Sequence, residues 1–495
     1  MKKIIVIGSG FSGMSAASFL AKAGYRVTVV EKHEMPGGRA RQFRTEGFTF
    51  DMGPSWYWMP DVFERYFNCF GKKVSDYYQL DRLDPSYRVY WPEGLMDIPA
   101  DYGALRQLFE QVEPGSAKAL DRFMDEAAYK YRVGINKLVF KPGLSLREFA
   151  DTELIKGMFR LDVFTSVKKH IARFFKDSRL RQLLEFPVLF LGALPEHIPA
   201  LYSLMNYADI RLGTWYPQKG MYSIVDAMYR VAVDQGVEFV FNADVQEITT
   251  SGNRATGVRF VRKDGTAEHF MADVVVAAAD YHFVETKLLP PSLQSYDKAY
   301  WDKRVMAPSC LLYYVGIRKK LPDIQHHSLF FDVSFDKHGK EIYSHPQWPT
   351  NPLFYVSAPS VSDSTVAPEG HENLFFLIPI AAGLSGDDES LRDEYFDRIL
   401  TRFEQRIGQT VREHIVCRRS YAVSDFRDDY NAFRGNAYGL ANTLMQTALL
   451  KPSLKSRKVD NLFYTGQLTV PGPGVPPSLI SGEVVAEVIG RQIGF

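Results

Sequence analysis

The sequence has few cysteines, no excess of either charge and no long apolar run. Its three cysteines, Cys69, Cys310 and Cys417, lie far apart in 495 residues and form no CxxC pair. This spacing argues against a disulfide framework and a structural zinc site, and a reducing compartment is expected. Lys and Arg number 59 and Asp and Glu number 58, for a net charge of +1. That balance argues against general nucleic-acid binding.

The apolar segments are too short to cross a membrane. No run in the sequence reaches the ~18 apolar residues of a membrane-spanning helix. The apolar stretch at the N-terminus ends at Ile7, where glycines begin, so it predicts no signal peptide. We therefore expect a cytoplasmic protein without a transmembrane helix, and about three domains or lobes for this length.

Aromatic residues are abundant instead. The chain holds 35 Phe, 27 Tyr and 6 Trp, which make up 14% of it. Large hydrophobic cores and a long apolar pocket would both use such side chains. Composition alone favours the interpretation as hydrophobic cores over the interpretation as a long apolar pocket.

The first thirty-one residues have the pattern of a β-α-β unit. Residues 3–7 predict a buried strand, Gly8, Gly10 and Gly13 form a G-x-G-x-x-G turn before a helix, and a second strand ends at Glu31. Gly8 permits the tight turn, Gly10 lets the backbone approach a pyrophosphate, and Gly13 lets the helix pack on the strand. Because Glu31 can accept hydrogen bonds from ribose hydroxyls, the unit predicts a bound dinucleotide.

Two further glycine-rich loops indicate FAD rather than NAD. Gly37-Gly38-Arg39 adds a second phosphate-facing turn with a cation close to the first, and we also assign Lys32 to this site. Near the C-terminus, a strand predicted over 461–466 leads into a loop with Gly472 and Gly474. A helix with Ser478 as its N-cap is predicted to follow, and this region suits the ribityl or flavin end.

The predicted elements divide the chain into three parts. Strands predicted over 236–278 return to the cofactor sheet. The mixed α/β (α+β) fold therefore has a Rossmann-like, two-dinucleotide-binding FAD domain that is discontinuous. The FAD domain takes residues 1–70, 215–290 and 455–495. A β-sheet substrate domain takes 71–100 and 291–454, and a helical, basic lobe takes 101–214.

Several segments resemble the bacterial and fungal phytoene desaturases, which are carotenoid desaturases of the FAD amine-oxidase-like superfamily. The most specific are SAPSVSDSTVAPEG at 357–370 and SDFRDDYNAFRGNAYGL at 424–440. The resemblance implies one FAD, dehydrogenation of an acyclic C40 carotene by hydride transfer to flavin plus proton loss, and peripheral attachment to a membrane. It also implies FAD contacts at Gly8, Gly10, Gly13, Glu31, Gly38 and Arg39, at Val245 near the adenine, and at Gly466 and Val475 on the flavin side.

Two motifs depart from the family pattern. The middle motif PQKGM at 217–221 has one glycine after the proline where the family usually has two, and Pro477 stands where the C-terminal loop usually has glycine. FAD binding remains the expectation. The substrate and the regiochemistry stay open.

Candidate substrate and catalytic residues are few. Trp56, Tyr57 and Trp58 are interpreted either as the lining of a tunnel or as core packing. Desaturation also needs a proton acceptor, for which the candidates are Glu148, Asp425, Asp428 or water. Each of the three carboxylates also fits a surface or ion-paired role. His326 and His327 are interpreted as loop residues, and no metal is expected because no third ligand stands at a suitable spacing.

Residues 130–181 are unusually basic. They contain 13 Lys or Arg and 5 Asp or Glu, interleaved with Phe and Leu. We predict an amphipathic helix that contacts an anionic membrane surface. A solvated basic face and a docking site for an acidic partner are the alternatives.

The leading hypothesis is a phytoene desaturase that forms lycopene or its intermediates, with oxygen or quinone as electron acceptor. One alternative is a later enzyme that carries out 3,4-desaturation of a 1-hydroxy or monocyclic carotenoid. Others are a flavin amine oxidase, a flavin-dependent carotenoid isomerase or saturase, and a non-enzymatic isoprenoid-binding escort protein. The retained glycine loops argue against the escort protein. The oligomeric state is left open.

Overall fold

Within residues 1–145, 148 and 161–494, which this computed structural model describes, the strands form five sheets. The strands, in chain order, are β1 Lys3–Ile7, β2 Arg26–Val30, β3 Gln42–Thr45, β4 Phe48–Asp51, β5 Leu80–Arg82, β6 Tyr87–Trp91, β7 Gly94–Ile98, β8 Trp215–Pro217, β9 Glu238–Val240, β10 Ala243–Ser251, β11 Arg254–Arg262, β12 Ala267–Met271, β13 Val274–Ala277, β14 Ser309–Ile317, β15 His327–Phe330, β16 Phe354–Ser357, β17 Glu372–Ile380, β18 Ile415–Tyr421 and β19 Leu462–Tyr464. The α-helices are Phe11–Lys22, Pro60–Cys69, Tyr102–Val112, Ser116–Val133, Val167–Ile171, Ser178–Glu185, Leu204–Ile210, Tyr222–Asp234, Tyr281–Phe283, Lys298–Asp302, Phe335–Tyr343, Glu389–Ile407, Val423–Tyr430 and Val475–Ile493.

The first sheet is parallel and has the strand order β19-β13-β1-β2-β9. Its central strands are continuous β-branched runs such as KIIVI, which suit a strand covered on both faces. Strands from the start, middle and end of the chain thus lie side by side. This sheet and its helices confirm the predicted Rossmann-like, mixed α/β fold.

Helices from the two ends of the chain pack against each other at this sheet. The Ser15 hydroxyl donates to the Leu479 carbonyl at 2.7 Å, and a Cβ on Gly482 would lie 2.4 Å from the Ser12 carbonyl oxygen. The C-terminal helix begins at Val475 with Gly474 as its N-cap. The predicted N-cap at Ser478 is therefore wrong, because the first turn of a helix accepts prolines and the helix starts before Pro476 and Pro477.

A second large sheet has seven strands in the order β18-β14-β17-β16-β15-β6-β7. Its pairs are antiparallel except for β15 with β6, which is parallel. Each face of β14 is buried, since one face packs toward the cofactor half and the other against helix Glu389–Ile407. This sheet forms one wall of the cavity described below.

The basic region 130–181 is not one amphipathic helix. Helix Ser116–Val133 ends just inside the beginning of this basic region. The described residues farther along form the short helices Val167–Ile171 and Ser178–Glu185. Residues 146–147 and 149–160 of the predicted helix lie outside the described part of the chain. Among the described helices, none combines the length and the apolarity needed to cross a membrane.

Candidate active site

A cavity of about 480 Å³ joins the glycine-rich loops to an aromatic region between the two large sheets. At one end it is lined by Gly8, Gly10, Gly38 and the loop 465–478. At the other end it is lined by apolar side chains from Trp56, Phe186, Phe331 and helix Phe335–Tyr343. A polar, glycine-rich end and an apolar end are therefore parts of one site.

The two N-terminal glycine turns face each other at close range. Gly8 has a φ of +96° and Gly38 a φ of +55°, values that favour glycine. A Cβ on Gly38 would lie 3.3 Å from the Cα of Gly10, whereas a Cβ on Gly10 would meet nothing within 4 Å. The space beside Gly10 fits the close approach of a pyrophosphate to the backbone.

Glu31 is held rigidly at the carboxyl end of β2. It is buried and lines the cavity. Its carboxylate accepts hydrogen bonds from the backbone N–H groups of Ser9 at 2.7 Å and His33 at 2.9 Å. The Ser9 hydroxyl also donates to it at 2.6 Å, so about one lone pair is left to accept a hydrogen bond from a ribose, as the sequence predicts.

Lys32 and Val245 also line this end of the cavity. The Lys32 ammonium donates to the Asp428 carbonyl at 2.6 Å, so a contact in the protein already engages it. Val245 is buried on β10, opposite Phe260 of β11. The register of this strand pair shifts directly after Val245, between Val245 and Glu247.

Arg39 is a half-buried cation whose Nε is buried and unpartnered. One guanidinium nitrogen donates to the Asn436 carbonyl at 3.3 Å, and the group lies 5.2 Å from the centre of the Tyr430 ring. Its Nε has no hydrogen-bond partner. Burial lowers the pKa of Arg39, and the nearby Asp280 carboxylate opposes that shift. A buried, orphaned donor on a cation fits an acceptor-rich group such as a phosphate or a flavin carbonyl.

The C-terminal loop completes this end of the cavity. Gly466 and Gly474 have φ values of +114° and +110°, and the Gly466 N–H donates to the Ser481 hydroxyl at 3.0 Å. Val475 begins the last helix and lines the cavity. The N-terminus of helix Phe11–Lys22 opens into the site with free N–H groups that attract anions, whereas the last helix has prolines at its second and third positions and offers only the Val475 N–H.

One face of a single helix lines the apolar end. Lining residues recur along helix Phe335–Tyr343 at helical spacing, one or two per turn. They are Phe335, His338, Gly339, Ile342 and Tyr343.

The aromatic cluster near residue 57 contributes two of its three residues. Trp56 and Trp58 line the cavity, and Tyr57 does not. Tyr57 points into the core, where its ring stacks 4.4 Å from Phe63 and its hydroxyl lies 2.9 Å from that of Tyr78. In an extended segment, successive side chains point to opposite sides, so the substrate contact predicted for Tyr57 is corrected to core packing.

None of the three predicted carboxylates lines the cavity. Glu148 accepts from the backbone N–H groups of Gly143, Leu144 and Ser145 at 2.8 to 3.0 Å. Asp425 pairs with Arg392 at 2.7 Å, and the Asp428 side chain is exposed. The catalytic role predicted for them is replaced by loop capping, ion pairing and solvent contact.

The interpretation of His326 and His327 as loop residues is wrong for His327. Strand β15 begins at His327, and both imidazoles are buried. Burial lowers the pKa of His326 to about 3 and that of His327 well below its ordinary value. Sequence reasoning also missed Ser55 and Tyr355, both of which line the cavity. The only signal was the alternating, β-branched and aromatic character of the Tyr355 segment.

This fold and this cavity define a flavin-dependent oxidoreductase. Residues 11–490 match the family described as flavin containing amine oxidoreductase, and the chain belongs to that family, in its carotenoid desaturase branch. The protein is an enzyme and its cofactor is FAD. The glycine turns, Glu31 and Arg39 fit that cofactor.

Relatives of nearly full length support the branch. The chain is 41% identical over 492 residues to the carotenoid 3,4-desaturase of Haloarcula japonica, covering 99% of this chain and 98% of the relative. It is 32% identical over 492 residues to the zeta-carotene-forming phytoene desaturase of Myxococcus xanthus, covering 98% and 93%.

Solved structures share the fold at low identity. Putrescine oxidase bound to putrescine has a TM-score of 0.62 at 15% identity, covering 99% of each chain. Reduced UDP-galactopyranose mutase has a TM-score of 0.60 at 16% identity, covering 100% of this chain and 96% of that one. At this identity the likeness shows the fold alone.

Proposed function

We propose that this carotenoid desaturase acts on an acyclic C40 carotenoid, and that 3,4-desaturation of a late carotenoid is its reaction. The supporting observation is the 41% identity, over almost the full length of both chains, to the 3,4-desaturase. Phytoene desaturation is the second candidate, supported by the relative from Myxococcus xanthus at 32% identity. The cavity between the two large sheets, apolar beyond its glycine loops, suits either hydrocarbon chain.

The residues of the apolar end would bind the chain and exclude water. Burial of apolar surface contributes ~25 cal/mol per Å², so a long hydrocarbon can be held without a polar group. FAD, when bound, supplies the two-electron oxidant that accepts a hydride. The aromatic faces of Trp56, Phe186 and Phe331 line the cavity, and such faces stabilise positive charge on a polyene.

Product analysis in three bacterial strains tests the proposal. One strain accumulates phytoene, the second lycopene and the third a 1-hydroxy acyclic carotenoid, and the gene is the only addition to each. We expect a product with one more double bond in a strain with a late carotenoid and unchanged phytoene in the first. Conversion of phytoene to coloured products would instead establish the second candidate. No new product in any strain, with FAD-loaded protein present, would overturn both.

We also propose that the protein docks on an anionic membrane through a face near the cavity. Leu144, Met445 and Leu450 are exposed apolar residues, Met445 to 72%. Their segments are adjacent, because a Cβ on Gly143 would lie 3.4 Å from the Ala448 carbonyl. The basic composition of residues 130–181 suits anionic lipid headgroups.

Vesicle flotation tests this docking. We expect the protein to float with vesicles that contain anionic lipid, and the double variant Met445→Glu, Leu450→Glu to remain in solution. Met271→Glu is the matched control, because Met271 is 58% exposed on β12 of the small antiparallel sheet. Equal binding by the double variant and the control would contradict the proposal.

A further inference from the structure

His327, Tyr355 and Ser55 form a chain of polar groups that reaches the apolar cavity. The Tyr355 hydroxyl donates to the Ser55 hydroxyl at 3.0 Å and lies 2.7 Å from Nδ1 of His327. Tyr355 and Ser55 line the cavity, whereas His327 lies behind them. The imidazole stacks on Trp56, with ring centres 4.1 Å apart and planes 12° from parallel. A tyrosine of the cavity lining is thus backed by a buried imidazole.

The sheet register places these groups together. In the antiparallel pair β15–β16, His327 is opposite Ser357. Tyr355 is two residues from Ser357 on the same strand, so it lies diagonally across from His327 on the same face. Two neighbouring strands of a rigid sheet therefore hold the contact.

Carboxylates do not occupy the apolar end of the cavity in the described part of the chain. Those that line the cavity are at the glycine-loop end: Glu31, Asp244, Asp280 and Asp429. Glu31 and Asp280 accept backbone N–H groups, and Asp429 pairs with Arg41. A proton acceptor near the hydrocarbon is therefore either water or another kind of side chain.

Two other tyrosines line the same end but lack such a base. The Tyr438 hydroxyl lies 3.8 Å from Sγ of Cys310. Tyr343 interacts electrostatically with the same thiol. Burial raises the pKa of Tyr438 well above its ordinary value. These residues share the chemistry of Tyr355 and lack its imidazole partner, so they serve as matched controls.

His327 is a neutral imidazole with an available lone pair. Burial lowers its pKa well below the ordinary value, and the neighbouring His326 lowers it further. The titratable groups that face it are His326 and Tyr355. A carbon–hydrogen bond next to a carbocation is strongly acidic, so a weak base is sufficient to accept its proton.

We propose that Tyr355 and His327 together accept the proton that the substrate loses. This inference rests on the proposed desaturation, in which FAD is the two-electron oxidant. After hydride loss, the neighbouring carbon–hydrogen bond breaks and its electron pair becomes the new double bond. The Tyr355 hydroxyl turns from Ser55 to Nδ1 of His327 and passes its proton there, while the Tyr355 oxygen takes the proton from the substrate carbon. His327 later returns the proton through Tyr355 to water after the product leaves.

Tyr355→Phe tests the catalytic residue against Tyr438→Phe and Tyr343→Phe. Loss of a general base typically costs ~10²- to 10⁴-fold, so we expect product formation by Tyr355→Phe to fall by at least ~100-fold. The two control variants should retain most of the activity, and all three should bind FAD as the wild type does. Equal activity of Tyr355→Phe and the controls would overturn the inference.

Nitrogen-15 NMR of the FAD-bound protein without substrate tests the role of His327. We expect a neutral ring at neutral pH whose Nδ1 is hydrogen-bonded to the Tyr355 hydroxyl. Its resonance should shift in Tyr355→Phe and stay unchanged in Tyr438→Phe. An imidazolium at neutral pH, or no shift in Tyr355→Phe, would overturn the role of His327. If the wild type desaturates no carotenoid, the proposed function fails, and the NMR result still decides whether the hydrogen bond exists.

Discussion

Gly13 approaches Gly8 so closely that a Cβ on Gly13 would lie 2.1 Å from the Gly8 carbonyl oxygen. Gly13→Ala should therefore push helix Phe11–Lys22 away from the glycine turn that contains Gly8. Overpacking of this kind costs about 1–3 kcal/mol. We expect a lower thermal midpoint of the apoprotein and weak FAD binding. An unchanged midpoint would contradict the close packing.

Gly10→Ala should separate cofactor binding from folding. No atom lies within 4 Å of a Cβ at this position, so the apoprotein should keep its thermal midpoint. The methyl group would occupy the space expected for the pyrophosphate. We expect FAD affinity, measured by quenching of flavin fluorescence, to fall in this variant. Wild-type affinity would show that the cofactor does not approach Gly10.

Arg39→Met should weaken FAD binding more than it affects folding. The Nε of the wild-type guanidinium is buried and unpartnered, and a hydrogen bond to a charged group contributes about 1.5–3 kcal/mol. Removal of that contribution corresponds to a loss of roughly 10- to 100-fold in affinity. Arg39→Lys keeps the charge without the planar fork, and we expect an intermediate affinity. Equal affinities of wild type and Arg39→Met would contradict a contact with the cofactor.

Asp209→Asn should change how stability depends on pH. Burial raises the pKa of Asp209 to about 7, and its carboxyl is bonded to the hydroxyls of Tyr87 and Thr214 at 2.8 and 3.1 Å. The folded state holds this proton more tightly than the unfolded state does. Stability is therefore lost as pH rises from the unfolded pKa, near 4, to about 7, and stays lower above that.

The expected size of the effect makes it measurable. The difference in pKa corresponds to on the order of 4 kcal/mol. Relative to Asp209→Asn, the wild type should be more stable at low pH than at high pH, by urea unfolding of the FAD-bound proteins. A difference between the two proteins that does not vary with pH would show that Asp209 titrates normally.

Ile342→Trp should shorten the apolar end of the cavity. Ile342 lies on the lining face of helix Phe335–Tyr343, and Lys340 is exposed on the same helix. We expect Ile342→Trp to keep FAD and to lose turnover of the long carotenoid, whereas Lys340→Trp keeps both. Full turnover by Ile342→Trp would show that the substrate does not reach this helix. The products are measured by chromatography.

The sequence could predict the β-α-β unit because its requirements are local. Strand β1, the glycine turn and Glu31 lie within thirty-one residues, and each position has its own steric or hydrogen-bonding demand. The parallel sheet that contains residues from both chain ends followed from the same reasoning. The helices of the basic region 130–181 were less predictable, because the spacing of basic and aromatic residues does not indicate where a helix ends.

The roles of single carboxylates and histidines could not be predicted in this way. Asp425 pairs with Arg392 on another helix, and no local pattern reveals that partner. His327 gains its role from Tyr355 on the next strand of the sheet. A contact between two strands depends on how the strands are aligned. The hydrophobic pattern of a single sequence does not specify that alignment where a strand begins with polar residues.

The packing of Ser12 and Ser15 against the last helix also has a consequence during protein synthesis. The strand and the helix at 462–493 complete the sheet and the surface beside the first helix. In a nascent chain on the ribosome, the first helix therefore stays partly exposed until these residues emerge. Apolar surface that is exposed at this stage is prone to aggregation and is bound by chaperones. Because the loop 465–478 also lines the glycine-rich end of the cavity, the flavin site is complete only after these residues have joined the first helix.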